Sequence, residues 1–157
     1  MSTETVRAAL AALLNSVPTI GRVHDYERFA AREADFAAMF RPDGETIVKG
    51  WTIGRLGVVS RRALASGRTL VTSRWLLTGY RSLVDAERSE VDLDGLVDAV
   101  IAAERADPTL GGAVRGTPVD GQSGIRLAEA GPVMFAGALC HRAKLVLDVQ
   151  TIEGMIR

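Results

Sequence analysis

The 157-residue chain is expected to form one α+β domain spanning residues 1–157, with helices packed against a mainly antiparallel sheet and long loops or strand arms. Three patterns support this. Leu139 to Thr151 reads as one long, nearly complete strand: Leu139, Ala143, Leu145, Leu147 and Val149 share one face, and Arg142, Lys144, Asp148 and Gln150 the other. Such a period marks a strand with one buried and one polar side. Leu93, Leu96, Val97, Val100 and Ile101 recur at helical spacing. Between Glu45 and Tyr80 two runs rich in β-branched and aromatic residues indicate extended chain.

The elements follow in order. Ser2 or Thr3 caps a first helix with Glu4 in its favourable first turn. Val6, Leu10, Leu13, Leu14 and Val17 form its apolar stripe, and Pro18 ends it near Ser16. A second helix is expected from a cap at Asp25 toward Phe40, with Phe29, Phe36, Phe40, Ala30 and Ala37 on one face. Arg41-Pro42-Asp43-Gly44 then turns the chain. Ile47, Trp51 and Ile53 share a parity, as do Val71, Trp75 and Leu77, so these runs pair as an antiparallel ribbon. A long connection from Gly54 through Gly67 joins them, readable as a surface loop or as an arm reaching another subunit. Asp92 or Asp94 caps the third helix and Asp107-Pro108 stops it. The glycine-rich stretch from Gly111 to Gly131 reads as a loop or hairpin tip, followed by one or two strands from Pro132 through Ile152.

Composition narrows the function. Nineteen Lys and Arg balance nineteen Asp and Glu, which argues against dedicated nucleic-acid recognition. Cys140 is the sole cysteine, so no internal disulfide forms. Cys140 and His141 point to opposite faces of a strand, a poor metal pair even with His24. Apolar runs are too short for a membrane span and no signal peptide is recognisable, so the chain is expected inside a cell or in a particle assembled there. Gly111-Gly112 and Gly121-Gln122-Ser123-Gly124 match neither a dinucleotide fingerprint nor a phosphate-binding loop. His24-Asp25 and the carboxylates Asp92, Asp94 and Asp98 lack a nucleophile motif beside them. No catalytic, cofactor or metal residue is assigned, and an enzyme is not expected. Trp51 and Trp75 suit core packing, stacking across the ribbon, or an interface anchor. The polar sheet side bearing Arg74, Arg142 and Lys144 is a candidate contact surface.

One resemblance runs along most of the chain. After the first helix comes Asn15-Ser16-Val17-Pro18-Thr19-Ile20-Gly21-Arg22-Val23-His24-Asp25-Tyr26. Trp51 lies in a strand, and Trp75 to Leu83 reads WLLTGYRSL. The Leu93–Glu104 helix, Thr109-Leu110-Gly111-Gly112 and a strand ending in Val149 complete the order. This order resembles the tail-terminator proteins of long-tailed bacteriophages and of phage-like particles such as gene transfer agents. The resemblance implies a structural subunit of a hexameric ring that caps the head-proximal end of the tail tube. Its partners would be further copies of itself, the major tail tube protein and a neck or head-completion protein at the tail–neck junction. By analogy, contacts would fall on Arg55, Arg61, Arg62 and Arg68, with a second set at Arg115, Gln122 and Arg126. The alternatives are a head-completion or neck adaptor protein, a tail-tube protein, or a small α+β enzyme.

Overall fold

The computed structural model describes residues 2–62, 67–116 and 124–154. Helix α1 (Thr3–Asn15) begins as its cap predicts, with the Ser2 hydroxyl accepting the Thr5 N–H. Val6, Leu10 and Leu14 on its inner stripe are buried. Strand β1 (Arg22–His24), helix α2 (Glu33–Met39), strands β2 (Lys49–Arg62) and β3 (Thr69–Ser82), helix α3 (Ser89–Ala106) and strands β4 (Arg126–Phe135) and β5 (Ala138–Glu153) follow. The strands form one sheet in the order β1-β2-β3-β5-β4. Only the short β1–β2 contact is parallel, and the other neighbours are antiparallel.

The two sheet faces have different fates. Helices α1 and α3 cover one face, where Trp51, Ile53, Trp75, Leu77, Ala143, Leu145, Leu147 and Val149 pack against Leu10, Leu14, Leu96 and Val100. On the other face α2 covers only the end where β3 finishes and β5 begins. A smaller cluster of Phe40, Val48 and Cys140 lies there, joined by Phe36, Tyr80 and Phe135. Tyr80 and Phe135 stack with centroids 3.7 Å apart. The His24 ring meets Phe40 edge-on and its Nε2 donates to the Met39 carbonyl. Burial pushes the Cys140 thiol up, opposed by its hydrogen bond with Ser82.

Several expectations change. The second helix is shorter than predicted: Asp25 does not cap it, Phe29 lies outside it and is exposed, and Arg22–His24 is a strand instead of part of a connection. Residues 54–62 belong to β2, so the long connection from Gly54 is a strand for most of its length. A bulge between Arg55 and Gly57 explains the misreading, because one extra residue breaks the two-residue period. Helix α3 starts at Ser89, preceded by a 3₁₀ turn at Asp85–Glu87 and by Arg88 with φ of 52°. Asp92 is therefore a first-turn residue and not a cap. Two strands form at the C-terminal end, turning at Ala136-Gly137, and the first begins at Arg126, inside the stretch read as a loop or hairpin tip. Leu139 is exposed there, outside the inner-face cluster that α1 and α3 cover.

The two tryptophans sit on one buried face without stacking. Trp51 is opposite Gly79, and Trp75 is opposite Arg55. The Trp51 indole lies over the Gly79 backbone so closely that a Cβ there would come within 2.6–2.8 Å of three ring atoms. Gly79→Ala is accordingly expected to lower stability by about 1–3 kcal/mol through overpacking. Gly57→Ala, with nothing within 4 Å of the added carbon, should leave the urea midpoint nearly unchanged. Equal midpoints for the two variants would show that the Trp51–Gly79 contact does not constrain the core.

Candidate assembly interface

The outer half of β2 is where the sheet leaves backbone groups open. β1 pairs only with Gly50, Trp51 and Thr52, so among the described residues no strand lies outside Gly54–Arg62. Leu56, Val58 and Val59 on this stretch are exposed. An edge strand carrying apolar side chains is a ready template for another chain. A groove of about 530 Å³ beside it is lined by Leu56, Val59, Thr72, Arg74 and Asp148. The opposite edge is blunted. β4 carries Pro132, which has no N–H to offer, and a bulge between Leu127 and Glu129.

The register places Arg61, Arg68 and Arg115 toward the same end of the sheet, whereas Arg55 and Arg126 lie near its middle, level with Trp75 and Leu76. Arg61 is opposite Leu70, near the β2–β3 tip, and Arg68 precedes β3; both are exposed. Arg55 faces α1 and donates to the Thr3 hydroxyl. Across the sheet the Arg115 N–H donates to the Gln150 carbonyl, and Gln150 is level with Thr72 and Val59. The two sets are thus about three strand spacings apart, roughly 15 Å. Arg126 opens β4 opposite Val146, where its charge helps to hold Asp148 down. Gln122 and the side chain of Arg62 lie outside the described residues. Arg61, Arg68 and Arg115 have no carboxylate partner among the described residues.

The polar side predicted for β5 is present, and its charges are largely paired. Arg74 holds Asp148 through two hydrogen bonds of 2.7 and 2.8 Å, and this contact keeps the carboxyl below its ordinary value. Lys144 at 3.0 Å and Arg142 both reach Glu129 and lower it likewise. Arg61 at the tip, by contrast, has no ion-pair partner among the described residues.

At the far end of β3 the sign reverses. Residues 85–98 carry Asp85, Glu87, Glu90, Asp92, Asp94 and Asp98 against the single cation Arg88, while residues 55–68 carry four arginines and no carboxylate. Buried Arg81 ties the acidic end to the sheet: its Nε donates to Asp92 at 2.9 Å and its Nη2 to Glu87 at 3.3 Å. Lys49 approaches Asp92 at 3.7 Å. The Arg81 hydrogen bond is the main influence holding Asp92 below the usual carboxylate range.

Sequence reasoning missed one pair of potential chemical interest. Ser89 Oγ lies 3.0 Å from His141 Nε2 although 52 positions separate the residues. The hydroxyl also accepts the Val84 N–H at 2.9 Å, and Ser89 is 1% exposed. A nucleophile must reach its substrate; this serine instead joins the start of α3 to β5. No group of three or more His, Cys, Asp or Glu among the described residues is arranged to hold a metal. No helix among them is long and apolar enough to cross a membrane. Neither a family model nor a curated protein matches the chain.

Because Asp92 has a lowered folded-state pKa, its contribution is full above the unfolded value of about 4 and fades as pH falls through the folded value. Asp92→Asn should lose roughly 1–2 kcal/mol at pH 7, the side chain being part-exposed and screened. The gap from the parent should narrow steadily in urea titrations taken below about pH 4. A gap that stays constant with pH would mean that the Arg81–Asp92 charge contact contributes nothing.

Proposed function

We propose that this chain is a structural subunit that works by assembly and turns over no substrate. In this reading it forms a ring, most simply a hexamer, that caps a tail tube at its head-proximal end and joins it to the neck. The observation that carries the proposal is the polarity of the molecule: a chain of zero net charge has an arginine-bearing, open-edged arm at one end of the sheet and a carboxylate-bearing helix start at the other. Opposed surfaces of opposite sign suit a subunit that meets different neighbours on its two sides. The difference between the two sheet edges also suits a terminator. One edge offers unpaired backbone and apolar side chains, and the other, with its proline and bulge, resists strand addition.

The likeness in element order to phage tail terminators, stated from sequence, supplies the particular assembly; the polarity supplies its physical plausibility. Purified protein added to the cognate tube protein should appear in negative-stain electron microscopy as a ring at one end of each tube, and tube length should stop increasing. Tubes that keep growing with bare ends would overturn the terminator reading. Open-ended tubes built from this chain alone would make it a tube protein.

A further inference from the structure

We infer that the arginine-bearing arm of one subunit docks in the groove between α3 and β4 of a second copy of this chain, in a head-to-tail contact. The inference rests on the ring-forming reading and names the surfaces that would join neighbours. The groove has a volume of about 270 Å³ and lies at the acidic end. Leu83, Leu93 and Pro132 give it apolar walls, and Glu90 and Asp94 stand on its rim.

Three features fit it to an arginine side chain. Glu90 and Asp94 are one helical turn apart, and neither has an ion-pair partner among the described residues. Like charges at that spacing repel, so a cation placed between them relieves a cost. The apolar walls suit the methylene stem of an arginine, whose planar head can engage two carboxylates. The basic side chains that line the same groove are already engaged: Arg142 is held by Glu129, and the Nε2 of His141 bonds Ser89.

The complementary surface is on the same chain. Arg61 and Arg68 are exposed near the arm's tip with no carboxylate partner among the described residues, and Leu56 and Val59 lie exposed on the same arm. The two ends of β3 are about 45 Å apart, so one subunit cannot satisfy its own groove. A second copy can. The contact is heterologous: it closes into a ring if the rotation between copies closes. The apolar residues of the arm would then be covered at the same junction.

A charge-exchange experiment tests this with the full chain. An arm variant carries Arg61→Glu and Arg68→Glu, and a groove variant carries Glu90→Arg and Asp94→Arg. Circular dichroism confirms that each stays folded. Light scattering at low salt should show the parent associating, with association weakening as salt rises. Each variant alone should associate at least tenfold more weakly. Mixing them in equal amounts should restore the parental mass, because every contact then joins opposite charges. A parent that remains monomeric at about 1 mM overturns the inference, as does a folded groove variant that associates like the parent. Failure of the inference and failure of the tail reading are distinguishable. Rings that cap tubes but ignore both variants refute the docking alone. Charge-exchange rescue without tube capping refutes the terminator alone.

Discussion

The antiparallel ladder between β3 and β5 is the constraint on which the rest of the molecule depends. It runs without interruption from Thr69 opposite Glu153 to Ser82 opposite Cys140. Its inner face supplies Trp75, Leu77, Leu145, Leu147 and Val149 to the core under α1 and α3. Two adjacent long strands, each buried on one face, fix each other's register, since a slip of one residue would turn every apolar side chain to water. β2 and β4 then attach to the outer sides of this pair. The β2–β3 tip stands clear because β1 covers only the other half of β2.

That ladder also separates charge. Its length keeps the arginines near the β2–β3 tip apart from the carboxylates at the start of α3, so the two sets do not neutralise each other within one subunit. Along the middle of the open face, opposite charges sit on neighbouring strands and do pair, as Arg74 with Asp148 and Lys144 with Glu129. Arg61 and Arg68 at one end and Glu90 and Asp94 at the other therefore have no ion-pair partner among the described residues. Arg81 matters for a related reason. By holding Asp92 and Glu87 together it fixes the 3₁₀ turn and the first turn of α3 against β3, which places Glu90 and Asp94 beside the groove.

The sequence made the fold class, α1 with its Ser2 cap, the amphipathic stripe of α3 and the inner face of β5 legible, because each depends on a regular local period. Bulges defeated the same reasoning at Leu56 and near Ala128, where one additional residue shifts the alternation. β1 was invisible because three residues carry no period, and its existence depends on β2 lying beside it. The arginines of the candidate interface could be named from sequence, but the gathering of Arg61, Arg68 and Arg115 at one end, and the mid-sheet places of Arg55 and Arg126, could not. Arg115 and Arg61 become level only through the rows that join Gly116 to Gln150, Thr72 and Val59. The Ser89–His141 contact and the groove beside Glu90 likewise arise from long-range pairing that no local pattern records.

Hydrogen–deuterium exchange as a function of protein concentration is the most direct test of assembly through this arm. The amides of Gly54–Arg62 and of Leu83–Asp94 should become protected together as the chain associates, while the α1 amides, already bonded within the helix, should hardly change. Association that leaves both segments exchanging as in the dilute protein, with protection arising elsewhere, would contradict assembly through the arm and the acidic groove.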